Sequence, residues 1–255
     1  MEMPVNQFKR ALAEGRPQIG LWSNLCNHIS AEIIGGSGFD WILLDGEHAP
    51  NELVTLMAQM QAIAASGKST PVVRPAWNDT VLIKRILDLG AQSLLIPYVQ
   101  SAEEAKRAVA ATRYPPQGIR GVATSARASR FGRVKDYLKR ANQEICLLVQ
   151  VETIDALKEL EKIAAIDGID GIFIGPADLS ASMGHLGNAG HPDVMNTISD
   201  AMKRIKKTGK AGGILSPAEA DARRWLAEGF TFVAVGSDGN LLRQGGDALL
   251  QKYKS

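Results

Sequence analysis

The segment GFDWILLD (Gly38–Asp45) decides the fold of this chain. A glycine of the kind that ends helices is followed by a short, continuously apolar run and then by an acidic residue. Continuous hydrophobicity is typical of a parallel strand that is covered on both faces. The same helix–glycine–strand pattern recurs at GAQSLLIP (Gly90–Pro97) and GFTFVAVG (Gly229–Gly236). Capping-box patterns at Ser101–Glu104 and Ser216–Glu219 predict helix starts between such strands.

Eight apolar runs of this kind predict eight strands. They are Gln18–Trp22, Trp41–Asp45, Pro71–Arg74, Ser93–Pro97, Cys146–Glu152, Gly171–Gly175, Ala211–Leu215 and Phe232–Gly236. Eight parallel strands in 255 residues predict a (β/α)8 TIM barrel, as one domain over residues 1–255. A doubly wound open sheet is the main alternative, but its glycine-rich phosphate turn is missing after the first run, where Ser23–Cys26 stand instead.

The composition narrows the class of protein. There are 29 Lys and Arg residues against 27 Asp and Glu, a net charge of +2, which disfavours a nucleic-acid partner. No apolar run reaches the roughly 20 residues that a membrane helix needs, and the first residues lack the apolar core of a signal peptide. The two cysteines, Cys26 and Cys146, cannot form a disulfide framework. We expect a cytoplasmic protein without a membrane partner.

Polar side chains collect where the predicted strands end. Asp45, Arg74, Gln150 and Glu152 stand at strand ends, and Asp178 follows the sixth strand. In a barrel these ends meet at one face, which carries the active site. Such a convergence favours a catalytic site over chance polarity. His48, three residues after the second strand, is a candidate base near neutral pH, with Asp45, Glu47 and Asp88 as acids that could raise its basicity.

The two carboxylates Glu152 and Asp178 are hard oxygen ligands that suit Mg²⁺ or Mn²⁺. An ion pair of these carboxylates with Arg74 is the alternative. His185 and His191 offer nitrogen ligands for zinc, but they lack the helical spacing of a zinc motif, so that site is less favoured.

No predicted strand ends in lysine, since Lys68 and Lys210 precede strands. A Schiff-base mechanism is therefore disfavoured, and carbonyl chemistry here is expected to use a metal. The turn Gly175–Asp178 can offer the backbone N–H groups of Ala177 and Asp178 to a carboxylate.

The longest irregular stretch, Tyr114–Arg133, carries several arginines, and long loops are often functional. Arginine binds a carboxylate through two hydrogen bonds, and we predict that Arg127, with Arg120 second, binds a distal substrate carboxylate. A solvated loop, a subunit contact and RNA binding are the alternatives, the last disfavoured by the scarcity of aromatic residues.

The chain resembles the class II, metal-dependent pyruvate aldolases of the 2-dehydro-3-deoxyglucarate and 4-hydroxy-2-oxoheptanedioate aldolase family. The resemblance covers nearly the whole sequence. It is carried by GFDWILLDGEHAPN, PVVRPAWND, TRYPPQGIRGV, LVQVET and GIFIGPADLSASMGHLGN.

The resemblance implies a role for each matching residue. It makes His48 the general base, Asp88 the acid that raises its basicity and Arg74 the transition-state stabiliser. Glu152 and Asp178 would hold Mg²⁺, with Mn²⁺ or Co²⁺ as substitutes. The substrate-binding positions would be Gln150, Ala177, Asp178 and Leu215.

The resemblance further implies cleavage of a 2-oxo-4-hydroxy acid to pyruvate and an aldehyde, with His48 removing the C4 hydroxyl proton directly or through a water. We expect 2-dehydro-3-deoxy-D-glucarate as substrate, from segments such as SPAEADARRWL and AVGSDGN, although Ala177 differs from the serine of that branch. The alternatives are 4-hydroxy-2-oxoheptanedioate, an acyl-CoA ester, or a non-catalytic ligand-binding barrel. The family also implies a hexamer, a trimer of dimers, with the helix at about 240–252 in subunit contacts.

Overall fold

Eight parallel strands close into a barrel in the computed structural model, which describes residues 1–67 and 69–254. The strands pair in chain order, and β8 pairs with β1 to complete the ring. They are β1 Gln18–Ser23, β2 Trp41–Asp45, β3 Thr70–Arg74, β4 Ser93–Ile96, β5 Cys146–Val151, β6 Gly171–Ile174, β7 Ala211–Leu215 and β8 Phe232–Ser237. The predicted (β/α)8 barrel is therefore confirmed, with every strand end within one residue of its predicted position.

Helices connect the strands on the outside of the barrel. They are α1 Gln7–Ala13, α2 His28–Gly36, α3 Leu53–Ser66, α4 Thr80–Asp88, α5 Ala102–Thr112, α6 Tyr137–Glu144, α7 Ile154–Lys158, α8 Leu160–Ala164, α9 Pro176–Ser182, α10 Pro192–Lys207, α11 Glu219–Glu228 and α12 Asp238–Lys254. The predicted cap at Ser101 is confirmed, since its side chain accepts from the Glu104 N–H. The one at Ser216 is wrong: the Ser216 N–H donates to the Ala234 carbonyl instead, and α11 begins three residues later.

Alternate residues of each strand face opposite sides of the barrel wall. In β2, Trp41 and Leu43 point into the barrel, while Ile42 and Leu44 pack against the helices. Aromatic rings fill the interior, with the centroids of Trp41 and Phe232 6.0 Å apart. Phe8 and Leu12 of α1 join this interior cluster. The interior is a packed core, so polar residues one step further along the strands stand above it, at the carboxyl ends, which we call the mouth.

Two glycines make room for the interior rings. A Cβ atom on Gly20 would collide with the Trp41 ring, and one on Gly213 would collide with the Phe232 ring. Among the described residues, no helix is both long and apolar enough to cross a membrane.

Candidate active site at the carboxyl ends of the strands

The inward-facing positions of three strands change from apolar to polar at the mouth. In β2 the inward series Trp41, Leu43 ends in Asp45, and in β3 Val72 is followed by Arg74. Asp45 and Arg74 are partners in the β2–β3 register, so they meet directly above the core. Leu148 of β5 is followed in the same way by Gln150 and Glu152. The period of two along a strand thus brings these side chains to one place.

Arg74 links the acids of this group. Its Nε and Nη2 donate to the Asp45 carboxylate at 2.9 and 2.7 Å, and its Nη1 lies 3.4 Å from Gln150 Oε1. The guanidinium lies over the Trp22 ring, 5.3 Å from its centroid, and both Arg74 and Asp45 are buried. Burial would raise the pKa of Asp45, but the hydrogen bonds and charge of Arg74 outweigh it and hold that pKa below its usual value. Asp45 is therefore a carboxylate that fixes Arg74.

Glu152 is buried beside other acids. Its Oε1 accepts from the Tyr98 backbone N–H at 2.9 Å, and its Oε2 accepts from Gln150 Nε2 at 2.5 Å. Burial raises the pKa of Glu152 to about 7, and the negative charges of Asp178 and Glu47 add to the rise against the Gln150 hydrogen bond. A cation at this position would offset the repulsion among these acids.

Glu47 and Asp178, the remaining acids of the group, each have a carboxylate oxygen that could bind a ligand. The Oε2 atom of Glu47 is buried and, although 2.8 Å from Arg74 Nη1, it makes no hydrogen bond of acceptable geometry. Burial raises the pKa of Glu47 against the pull of Arg74 and His48. The carboxylate of Asp178, exposed in the first turn of α9, makes no hydrogen bond or ion pair with any residue that the structure describes.

This donor set fits a divalent cation that prefers oxygen ligands. Glu152 and Asp178 supply carboxylate oxygens just after the ends of adjacent strands, and the charge of Asp178 contributes to raising the pKa of Glu152. Two protein carboxylates leave the other positions of an octahedral ion to substrate and water, as Mg²⁺ requires. The alternative, an ion pair of these two carboxylates with Arg74, does not form among the described residues, since Arg74 pairs with Asp45 and Glu47.

Gly175 leaves the space that the Glu152 carboxylate occupies. A Cβ atom on Gly175 would collide with Glu152 Oε2 and approach Gln150 Nε2 to 3.2 Å. Glycine is therefore required for the carboxylate to lie where it does, at the turn between β6 and α9.

His48 is the exposed member of the group. Its side chain is 67% exposed, with Nε2 3.8 Å from Glu47 Oε1, while its backbone N–H donates to Asp45 Oδ1 at 3.3 Å. Asp45 thus fixes both the turn that carries His48 and the guanidinium of Arg74. The imidazole stands at the rim, where a substrate hydroxyl group could reach it.

Ala177, Asp178 and Leu215 line the same mouth. Ala177 and Asp178 are exposed in the first turn of α9, where backbone N–H groups lack helical partners. Leu215 ends β7, half-buried against the interior cluster. Their roles in substrate binding stay predictions.

Asp88 and Arg127 are not brought to the mouth of their own chain. Asp88 ends α4, which returns from the mouth to the opposite end of the barrel, and it forms a 2.9 Å ion pair with the buried Arg120. Arg127 Nη1 donates to the Leu89 carbonyl at 2.5 Å, also at the end of α4. Arg120 packs over Tyr114, 4.4 Å from the ring centroid. The predicted roles of Asp88 and Arg127 would require another copy of the chain.

Lys210, considered for a Schiff base, and the two histidines considered as zinc ligands also lie outside the Glu152 group. Lys210 Nζ donates to the Ile169 carbonyl before β7, away from the mouth, whereas Lys68 lies outside the described residues. His185 and His191 contact each other and Asp193, and do not join the Glu152 group.

Sequence reasoning missed two contributions to the site. The Tyr98 backbone N–H holds Glu152, and Tyr98 stacks on Trp77 with ring centroids 5.8 Å apart, both rings being exposed. Tyr98 has a φ of 53°, a left-handed conformation that its residue type does not indicate. Trp77 follows β3 closely, which was the available signal for an aromatic residue at the mouth.

Comparison with known proteins gives consistent matches. The family model described as HpcH/HpaI aldolase/citrate lyase matches residues 18–245. A 4-hydroxy-2-oxo-heptane-1,7-dioate aldolase of Klebsiella pneumoniae is 58% identical, covering 97% of this chain and 94% of its own length. A pyruvate aldolase of Rhizobium etli is 56% identical over 99% of both chains. The crystal structure of an HpcH/HpaI aldolase/citrate lyase family protein from Burkholderia cenocepacia has a TM-score of 0.95 at 39% identity, covering 98% of this chain and 100% of that one.

Proposed function

The chain belongs to the HpcH/HpaI aldolase/citrate lyase family, and from this premise we propose that its mouth performs the reversible aldol cleavage of a 2-oxo-4-hydroxy acid to pyruvate and an aldehyde. The chain is thus a carbon–carbon lyase of the class II pyruvate aldolase type. The observation that carries the proposal is the pair of carboxylates, Glu152 and Asp178, beside a buried guanidinium and an exposed imidazole.

We propose 4-hydroxy-2-oxoheptanedioate as the substrate, which would give pyruvate and succinate semialdehyde. The support is the name of the relative that is 58% identical over nearly the whole chain. 2-Dehydro-3-deoxy-D-glucarate, which would give tartronate semialdehyde, is the second candidate, favoured by the segments SPAEADARRWL and AVGSDGN. Both acids share the 2-oxo-4-hydroxy unit and differ beyond C4.

Members of this family generally depend on a divalent metal, and we propose Mg²⁺, with Mn²⁺ or Co²⁺ able to replace it. Glu152 and Asp178 would hold the ion. When bound, it would polarise the 2-oxo group and stabilise negative charge on the substrate oxygens. The N–H groups of Ala177 and Asp178 lie in the first turn of α9, where they have no helical partners, and would donate to the substrate carboxylate.

We propose that His48 accepts the proton of the C4 hydroxyl group. As that O–H bond breaks, the C4–O bond becomes a carbonyl and the C3–C4 bonding pair moves into the enolate of pyruvate. His48 is accessible to the substrate because its imidazole is exposed at the rim, with Nε2 3.8 Å from Glu47 Oε1. Protonation at C3 then gives pyruvate.

Arg74 is proposed to stabilise the developing enolate. Its guanidinium is held by Asp45 on two nitrogens and by Glu47 near the third, so its position requires no rearrangement during the reaction. Gln150 lies between Arg74 and Glu152 and ties the enolate-stabilising group to the carboxylate pair. Leu215 would limit the space on the opposite wall.

We propose a homo-oligomer, a hexamer, built from chains that each form one barrel domain over residues 1–255. The support is α12, whose residues from Asn240 onward are exposed and include Leu241, Leu242, Leu249 and Leu250. Exposed apolar surface on such a helix favours contacts between subunits. We also place the enzyme in the cytoplasm, where its two free cysteines would stay reduced.

Pyruvate release tests the function. Purified enzyme with Mg²⁺ is incubated with 4-hydroxy-2-oxoheptanedioate, 2-dehydro-3-deoxy-D-glucarate or an acyl-CoA ester, and pyruvate and aldehyde are measured. We expect the highest kcat/KM for 4-hydroxy-2-oxoheptanedioate. A higher value for the glucarate compound would assign the second substrate, and cleavage of the acyl-CoA ester alone, or of none, would overturn the proposed aldolase.

A further inference from the structure

Two histidines and an aspartate meet between α9 and α10, on residues that the aldol chemistry does not use. The imidazoles of His185 and His191 stack with centroids 3.6 Å apart and planes inclined by 15°. Oδ2 of Asp193 lies 3.8 Å from His185 Nε2 and 3.7 Å from His191 Nδ1. One ligand atom of each residue lies within 4.8 Å of the other two. The three side chains therefore lie close enough together for a single ion to reach one atom of each.

The backbone of this loop holds the two rings in place. The His185 N–H donates to the Ser180 carbonyl at 2.7 Å, which anchors the loop to α9. The Asn188 N–H donates to the His185 carbonyl at 2.9 Å, and the His191 N–H donates to the Asn188 carbonyl at 3.1 Å. Two consecutive turns thus connect one histidine to the other. The imidazoles are 27% and 32% exposed, so both rings are half-buried yet accessible to an ion from solvent.

We propose that His185, His191 and Asp193 form a second metal site, for a borderline transition-metal ion such as Zn²⁺. Two imidazole nitrogens and one carboxylate oxygen are ligands that Zn²⁺ prefers, whereas Mg²⁺ prefers oxygen ligands alone. Tetrahedral Zn²⁺ with bonds of about 2.0–2.1 Å sets its ligand atoms roughly 3.3–3.5 Å apart. The separations of 3.7 and 3.8 Å between the histidine nitrogens and Asp193 Oδ2 are close to this spacing. Because the two rings are stacked, ion binding would turn at least one imidazole so that both nitrogens point to the same ion.

The ion would connect the loop to α10. His191 caps this helix, with Nδ1 accepting from the Asp193 N–H at 3.2 Å, and this long hydrogen bond would be exchanged for the metal bond. The positive end of the helix dipole disfavours a cation here, and the Asp193 carboxylate offsets it. The three residues do not belong to the Glu152 group, and a water molecule would supply the fourth ligand of the ion.

Zinc titration of chelator-treated enzyme tests the site. The titration is followed by calorimetry in saturating Mg²⁺ and repeated in a Glu152→Gln/Asp178→Asn background, where the mouth lacks both carboxylate ligands. We expect one equivalent of Zn²⁺ per chain in both proteins, and an intense visible absorption band when Co²⁺ replaces Zn²⁺. Absence of this equivalent in the background variant would overturn the proposal.

Ligand variants assign the bound ion to these residues. Removing a residue that merely orients a ligand costs about 10- to 100-fold in metal affinity, so His185→Gln and His191→Gln should each weaken Zn²⁺ binding by about 100-fold or more. Asp193→Asn should also weaken it, while His28→Gln, at an exposed histidine of α2, should leave it unchanged. Circular dichroism checks that each variant is folded. Wild-type zinc affinity in folded His185→Gln and His191→Gln proteins would overturn the site, without any bearing on pyruvate formation.

Discussion

Arg74 and Asp45, the last residues of neighbouring strands, form a two-point ion pair in which Nε donates to Oδ1 at 2.9 Å and Nη2 to Oδ2 at 2.7 Å. The same Asp45 oxygen, Oδ1, accepts from the backbone N–H groups of Glu47 and His48. One buried carboxylate therefore sets the positions of both the proposed enolate-stabilising group and the turn that carries the proposed base.

Arg74→Lys should lower kcat by about 100- to 1000-fold, the usual effect of losing a group that stabilises an oxyanion. A lysine keeps the charge but cannot donate to Asp45 through a planar pair of nitrogens while reaching the enolate. Steady-state kinetics of pyruvate release measure the effect, and Arg107→Lys, at an exposed arginine of α5, is the matched control. Wild-type kcat in the Arg74→Lys enzyme would show that charge alone is needed.

His48→Ala should lower kcat by about 100- to 10,000-fold, as expected for loss of a general base. Because the side chain is exposed and is not a metal ligand in the proposed site, Mg²⁺ affinity and the melting temperature should stay close to wild type. Stopped-flow or steady-state assays of cleavage are combined with Mg²⁺ titration, with His28→Ala as the control. If His48→Ala cleaves substrate and exchanges pyruvate methyl protons at wild-type rates, another group is the base.

The strand positions and part of the site could be predicted from the sequence. Buried parallel strands require continuous apolar runs, so the strand ends could be located, and the period of two then places Asp45 and Arg74 inside the mouth. The support of Glu152 by the Tyr98 N–H could not be predicted, because it depends on a left-handed backbone conformation at a tyrosine.

Whether Asp88 and Arg127 reach the mouth could not be predicted from the sequence. Asp88 and Arg127 have chemistry suited to the site, but α4 ends at the opposite end of the barrel and both residues are bonded there. The resemblance gives Asp88 its role, and the arginine-rich loop suggested Arg127, but neither argument states from which chain the residue comes. Their roles at the mouth therefore stay predictions.

Removal of the divalent metal should abolish cleavage. After exhaustive treatment with EDTA, pyruvate release should fall to background, and added Mg²⁺, Mn²⁺ or Co²⁺ should restore it, because the mouth supplies carboxylates and no predicted strand ends in lysine. Glu152→Gln should show the same loss without chelator. Full activity after chelation, together with borohydride trapping of pyruvate on a lysine, would contradict the proposed metal-dependent mechanism.

Gly175→Ala should weaken metal binding although it adds only one methyl group. The backbone φ of −89° is accessible to alanine, so the effect comes from the collision of the new Cβ with the Glu152 carboxylate. Displacing a ligand in this way should lower Mg²⁺ affinity by about 10- to 100-fold. The Mg²⁺ dependence of activity measures it, and Gly245→Ala in α12, which has open space around its Cα, is the control. An unchanged Mg²⁺ dependence would mean that Glu152 moves freely or is not a ligand.

Asp88→Asn should mainly lower the free energy of unfolding, because Asp88 is the charged partner of Arg120, whose side chain is fully buried. Nε and Nη1 of Arg120 already lack hydrogen-bond partners, so neutralising Asp88 leaves an uncompensated guanidinium in the interior. The free energy of unfolding should fall by up to about 3 kcal/mol.

The matched control is Asp136→Asn, in an exposed pair with Lys139, which should cost less than about 1 kcal/mol. Adding Arg120→Met to Asp88→Asn should recover part of the loss by removing the unpaired charge. Denaturant unfolding measures all four proteins. Wild-type stability of Asp88→Asn, with a shifted pH profile of kcat, would instead support the role of Asp88 beside His48, supplied to the mouth by a neighbouring copy of the chain.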